Sequence, residues 1–498
     1  MISLKLDVAG HMNRNILGIN VVYIEDFKIC TDTLGMIQLQ KNHKTADLKN
    51  EILKCLKKYQ IEVDQIYSKS TDSKASVSKV SKIPPELLED EEREEDKEFL
   101  EKDKEASRDD DMELEYEKKI HHSLDSYLPV CGFEAHITEQ AASDVLPKIQ
   151  NHLNEVQEVL IELRAIIRAG GNLQLLPMLS KRLSWSATFD LLKYLVRIKD
   201  YIDGLYTDAD DSFKELNWNF IMEYITAFFP LITCKEKMNS EQYVIGDFYR
   251  DWLTCELELE DLVDATPYAT LLVDAMKNRK KLLLTNDAFL AALYLDPRFN
   301  FDNSVMLSQE QKKIAVTHLL KTYETIKYFE ESEKSSTNLL VGTVEIKSEV
   351  TIKIEETSNE SIMEAAPDTT SSSVGYSKLE RHMLQMMAAH PNASEPQRTF
   401  EQKLLLLASG KKVPLDADIL NYWKTNSFDN DIRKIVQVAL AVPVTQVSIM
   451  RTFTAFSLIH ANIKSQPTDA MINNLVMTKL NFHLLDENCA EFDYTDNL

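Results

Sequence analysis

The sequence predicts a helix-rich α+β protein, and three observations lead there. Only 11 of its 498 residues are Gly and 14 are Pro, too few punctuating residues for a turn-rich all-β chain. The first forty residues alternate apolar and polar at period two, whereas apolar spacings of three and four dominate from Asp144 onward. A hydrophobic content of 44% is enough for real cores in a chain of this length.

The elements follow in order. Ile2, Leu4 and Leu6 alternate, then Leu17, Ile19, Val21 and Tyr23, then a β-rich run from Phe27 to Leu39; Gly10, Asn13, Glu25 and Asp26 punctuate them. Three strands joined as antiparallel hairpins are expected. Thr45 to Tyr59 sets Leu48, Ile52, Leu53 and Leu56 on one helical face, and Val63 to Ser70 reads as a fourth strand, so the order is β-β-β-α-β. Residues 74 to about 120 are rich in Ser, Lys, Glu and Asp and carry Pro84-Pro85, a composition that cannot bury enough apolar surface to offset chain entropy. Ile149, Leu153, Val156, Leu160, Leu163 and Ile167 mark an amphipathic helix closed by Gly170-Gly171. Helical patterns continue to about 330, a Ser/Thr/Glu-rich linker covers about 331 to 375, and three more helices are expected between Asp418 and Leu485, one with Thr468 as N-cap.

The formal net charge is −24, which argues against binding nucleic acid by phosphate neutralisation. Between Glu86 and Lys119, however, about 18 acidic residues stand against about 7 basic ones, so one run carries nearly half of the net charge. The rest of the chain is only mildly acidic. Cys30, Cys55, Cys131, Cys234, Cys255 and Cys489 form no CxxC pair, which suits a reducing, intracellular compartment. The N-terminus lacks the apolar core of a signal peptide and no run approaches ~20 apolar residues, so a soluble protein with no membrane partner is expected. There is no GxSxG elbow, no P-loop and no Gly-rich dinucleotide turn.

Five stretches taken together resemble the hAT superfamily of DNA transposases and their domesticated descendants, including the group often headed by a BED zinc finger. They are SLKLDVAGHMNRNILGINVVYI (Ser3 to Ile24); IYSKSTDS (Ile66 to Ser73), similar to a family strand ending in Thr-Asp-Asn; RLSWSATFDLL (Arg182 to Leu192); ALYLDPRFN (Ala292 to Asn300); and a C-terminal block. The last block joins Asn421-Tyr422-Trp423-Lys424, the helix from Asp431, Pro443, Arg451, Phe453 and the Leu475 to Asn481 helix, in the order of the hAT dimerisation region. The resemblance implies a ribonuclease-H-like core that is interrupted by a large all-α insertion, completed by C-terminal helices and assembled as a homodimer. It divides the chain into 1–73 (first part of the core), 74–120 (acidic disordered insertion), 121–330 (core helix and helical insertion domain), 331–375 (linker) and 376–498 (dimerisation region completing the core).

Transposases of this kind cut DNA with two divalent metals held by carboxylates, two Asp and one Glu in this family. The resemblance puts the first on Asp7, at the end of strand one, and the second on Asp72; each also reads as a solvated turn residue. Aligning Pro443, Arg451 and Phe453 with the family motif puts Met450 where the Glu should stand, and no acid occurs from Pro443 to Phe456. A thioether is a poor ligand for Mg²⁺, so Asp7 and Asp72 are expected as vestiges of the metal site, without enzymatic activity or cofactor; Mg²⁺ would enter only with residual activity. Cys131 and His136 fall short of a zinc site, and Ser73 stands at the family's Asn.

Trp185 and Arg451 are the residues the resemblance offers for DNA contact, Trp185 reading equally as a packed core aromatic. No finger or helix-turn-helix signature is visible in the chain, so weak DNA binding, loss of a finger and a finger upstream of a truncated start are all open. Ile346-Lys347-Ser348-Glu349 and Ile352-Lys353-Ile354-Glu355 fit the pattern for SUMO attachment, with the conjugation machinery as partner and Lys347 and Lys353 as acceptors. These features lead to an expected nuclear, homodimeric, inactive transposase-derived protein acting through DNA or chromatin, with transcriptional regulation as the candidate process. An active or residually active transposase and a dimeric scaffold without DNA binding are the alternatives.

Overall fold

A computed structural model describes residues 1–11, 14–39, 45–71, 131–134, 137–169, 184–208, 215–341, 398–444, 447–462 and 469–484. The expected acidic insertion, most of the expected linker, Asp72, Ser73, His136, Lys347, Lys353 and Thr468 lie outside those residues. The chain divides into two units: Met1–Tyr323 with Leu404–Leu498, and Glu324–Lys403. In the second, the described residues are the C-terminal part of one long helix and the segment 398–403.

The alternating N-terminal segment forms β1 (Ile2–His11), β2 (Arg14–Glu25) and β3 (Lys28–Leu39), followed by α1 (Thr45–Lys58), β4 (Ile66–Thr71) and a strand absent from the sequence reading, β5 (Cys131–Glu134). The sheet order is β3-β2-β1-β4-β5. β1–β2 and β2–β3 pair antiparallel, while β1–β4 and β4–β5 pair parallel. The β2–β3 hairpin closes through Asp26 and Phe27, both at positive φ, as a two-residue turn matched to strand twist requires. Lys424 Nζ reaches Asp26 Oδ2 at 2.6 Å and the Arg433 guanidinium sits 4.7 Å from the Phe27 ring, fixing the tip to the C-terminal helices.

Alternation gives the sheet two different faces. Leu4, Leu6 and Val8 join Leu17, Ile19 and Val21 on one face and pack with Ile52 and Leu56 of α1. The opposite face holds Ser3, Lys5, Asp7, Asn20, Ser68 and Ser70, all buried and aligned by the register pairs Lys5–Asn20, Ser3–Ser68 and Lys5–Ser70. That polar face is covered from far along the chain.

The helices form in the predicted places. The stripe from Ile149 to Ile167 is the buried side of α2 (Ile137–Ala169). It is followed by α3 (Trp185–Arg197), α4 (Lys199–Asp208), α5 (Trp218–Lys237), α6 (Ile245–Asp261), α7 (Pro267–Leu283), α8 (Asp287–Tyr294) and α9 (Gln309–Val341). The last runs into the expected linker, so helix continues past 330. α10 (Phe400–Leu407) and α11 (Ile419–Thr425) then precede the three expected C-terminal helices, α12 (Asn430–Leu440), α13 (Val447–Asn462) and α14 (Asp469–Leu480). α13 packs on β1 and β2 and α14 on β3, with Phe456 and Val476 meeting Ile16 and Met36. Among the described residues, no helix is long and apolar enough to cross a membrane.

The outer edge of β3 is closed by side-chain amides. The Ile29 N–H donates to Gln242 Oε1 at 2.8 Å and Gln242 Nε2 donates to the Ile29 carbonyl at 3.0 Å. Asn481 repeats the pattern at Thr33, at 3.0 and 2.8 Å, and Asn473 Oδ1 accepts from the Met36 N–H at 3.1 Å. An edge whose backbone groups are already paired is a poor template for strand addition.

Candidate functional site

The polar sheet face carries the first expected acid. Asp7 stands mid-strand opposite Gly18, because the β1–β2 ladder continues to His11–Arg14. The expectation of an acid closing a strand is therefore corrected, and so is the solvated-turn reading, since Asp7 is 1% exposed. Its Oδ1 accepts from the Val8 N–H at 2.8 Å.

Lys5 shares that face two residues away, 7% exposed. Burial drives its ammonium down to about 8, with Glu241 opposing that fall and Arg451 adding to it, so Lys5 is still largely a cation at neutral pH. Asn20 stands in the same row; its Nδ2 donates to Thr452 Oγ1 at 3.4 Å, and its Oδ1 is buried without a hydrogen-bond partner. Thr452 in turn lies 3.5 Å from the Thr33 hydroxyl. α13 thus seals the face through Thr452, while its neighbour Arg451 is exposed and ion-paired with Glu241. Met450 belongs to the same helix. Among the described residues, no three His, Cys, Asp or Glu side chains converge as a metal set would require. Cys131 lies within β5.

Trp185 is fully buried at the start of α3, its ring 6.1 Å from that of Phe228 and its carbonyl accepting from Tyr224 OH at 3.0 Å. Lys235 Nζ lies 5.3 Å from the indole centroid. In this conformation the ring presents no surface on which a base could stack, and the core reading of this tryptophan holds. The same stretch contains an unforeseen cap: Ser184 Oγ accepts from the Ala187 N–H at 3.2 Å.

The Leu-Asp-Pro-Arg-Phe box forms a second buried charge cluster. Asp296 and Arg298 are each almost wholly buried. Arg298 Nε donates to Asp296 Oδ1 at 3.0 Å, Nη2 to Oδ2 at 2.7 Å, and Nη1 to Asp247 Oδ1 at 2.6 Å and to the Ala417 carbonyl at 3.2 Å. The Arg298 N–H adds a bond to Asp296 Oδ1 at 2.9 Å. Burial alone would lower the guanidinium, but Asp296 and Asp247 outweigh it and hold Arg298 above its ordinary range. Gly246 is required here, since a Cβ would land on Asp296 Oδ2 and Arg298 Nη2. The cluster ties the start of α6 and the segment 296–298 to the backbone at 415–417. The sequence marked the box as a likeness only; the partner Asp247 and the glycine carried no local signal.

No protein-family model matches the chain, and no curated protein matches it.

Proposed function

We propose that the chain is a catalytically inactive, transposase-derived protein of hAT type, with a ribonuclease-H-like core, that homodimerises and acts in the nucleus through DNA or chromatin in transcriptional regulation. The observation that carries this reading is the sheet: order β3-β2-β1-β4-β5, antiparallel hairpins first, then a helix crossing to the parallel strand β4, with Asp7 buried on β1 under the helix that contains Met450. That arrangement is what a core of this kind needs. The long helices between β5 and the C-terminal segment support reading that stretch as the insertion the resemblance implies.

Self-association is supported by exposed apolar side chains on the C-terminal segment: Leu458, Met471, Leu475, Phe482 and Leu484. Inactivity is supported by the methionine at position 450, where the resemblance expects an acid, with no acid from Pro443 to Phe456. The DNA and chromatin part of the reading rests on the resemblance.

Sedimentation of the full chain tests self-association, with Leu475→Asp/Met471→Asp expected to yield monomer; a wild-type monomer at micromolar concentration overturns that part. Fluorescence anisotropy with duplex DNA at 50 and 200 mM salt, expected to give a salt-dependent affinity, tests the other part. Absence of binding at both salts returns the protein to the scaffold alternative.

A further inference from the structure

Three sulfur-bearing side chains lie where α5, α6 and α7 pack pairwise on one another. Each helix supplies one: Cys234, Cys255 and Met276. All three are buried, Met276 completely. Cys255 Sγ donates to Met276 Sδ at 3.7 Å. The Cys234 thiol shares a hydrogen bond with the Cys255 thiol, and this bond, followed by burial, holds Cys255 well above the ordinary thiol range. Neither cysteine is in a disulfide, so the junction holds two thiols and a thioether. Among the described residues no three His, Cys, Asp or Glu side chains converge; here the third donor is a methionine. Such a donor set is selective. Mg²⁺ and Ca²⁺ take oxygen ligands, and zinc takes four ligands, or three with water. Soft thiolate and thioether donors select Cu⁺. With metal–sulfur bonds of ~2.3 Å, three sulfurs in a plane around one ion stand about 4.0 Å apart, and the Cys255–Met276 pair is already near that spacing.

We propose that Cys234, Cys255 and Met276 form a buried three-sulfur site for a single Cu⁺ ion. As the ion enters, both thiols give their protons to solvent, two Cu–S bonds form to the thiolates and a third to the thioether, and copper keeps its oxidation state. The site lies wholly within the helices between β5 and the C-terminal segment. It therefore stands or falls independently of the transposase reading.

The test is an anaerobic competition in which the reduced full chain is added to Cu⁺ held as its coloured bicinchoninate complex, and loss of colour reports transfer to the protein. Wild type should withdraw copper, and Cys30→Ser/Cys55→Ser, which leaves the three sulfurs in place, should do so equally well. Cys255→Ala should weaken transfer by more than about tenfold, since even a group that only orients a ligand is worth about 10–100-fold. Met276→Leu should also weaken it by at least about tenfold; leucine keeps the core filled, so this loss cannot be charged to misfolding. X-ray absorption at the copper edge of the loaded wild type should show three sulfur neighbours at ~2.3 Å. A wild-type chain that withdraws no copper overturns the proposal. So does unchanged transfer in Cys255→Ala or Met276→Leu, loss of transfer in Cys30→Ser/Cys55→Ser, or a copper shell of nitrogen or oxygen.

Discussion

Two buried charge clusters fall within stretches that carry the family likeness, and one of them leaves a buried acceptor without a hydrogen bond. Around Arg298, every charge has a directed partner: the guanidinium forks onto Asp296, and its remaining donors reach Asp247 and a backbone carbonyl. Around Asp7, the polar face holds Lys5, the half-satisfied Asn20 and a threonine pair near the 3.5 Å limit of a hydrogen bond. A cluster kept for architecture must satisfy its own groups, because an unpaired buried charge costs several kcal/mol. On the face around Asp7 one buried acceptor, Asn20 Oδ1, has no hydrogen bond. The contrast predicts that substitution costs more stability at the Arg298 cluster than at the face around Asp7.

Breaking the architectural cluster should have the largest effect. Arg298→Met leaves Asp296 buried without its counter-charge, and a loss of about 3–5 kcal/mol is expected, seen as a fall in the denaturation midpoint or in soluble yield. An unchanged midpoint would erase the contrast. Next in size is the pH dependence contributed by Lys5. Its folded value of about 8 lies below the unfolded 10.5, so between those values the unfolded chain holds more protons and this group makes stability rise with pH. The full gain is on the order of 3 kcal/mol. Cys55 and Tyr249 are raised by burial to about 11 and about 12, and they pull stability down above pH 9 and pH 10 respectively. The difference between wild type and Lys5→Met, measured by urea denaturation from pH 7 to 10, isolates the Lys5 slope; coincident curves would exclude a desolvated Lys5. The smallest effect is expected at the rim. Glu241→Gln removes an exposed pair worth under about 1 kcal/mol and the charge that raises Lys5, so the rise should begin below pH 8.

The sheet and most helices were legible because period-two and period-3.6 patterns record which face is buried, as Leu4, Leu6 and Val8 and the stripe from Ile149 to Ile167 do. β5 was not, since Cys131-Gly-Phe-Glu134 is too short to alternate. The place of Asp7 within β1 escaped as well, because the β1–β2 ladder continues past the alternating apolar run to His11–Arg14. The burial of Lys5 had no local signal, since in the alternating pattern it is the polar position between Leu4 and Leu6 and the helix packed over that face, α13, lies more than 430 positions away. The same distance hid Gln242, Asn473 and Asn481 as guards of the β3 edge, and Asp247 as partner of Arg298. Local periodicity reports burial, but long-range polar partners have no periodicity to read.

The most direct test of a fold kept without its chemistry is strand cleavage by the purified full chain. Supercoiled plasmid DNA incubated with 5 mM Mg²⁺ or Mn²⁺ should show nicking no faster than with EDTA, and Asp7→Asn should be indistinguishable from wild type. Metal-dependent nicking by the wild-type protein that disappears in Asp7→Asn would contradict the proposal at its centre.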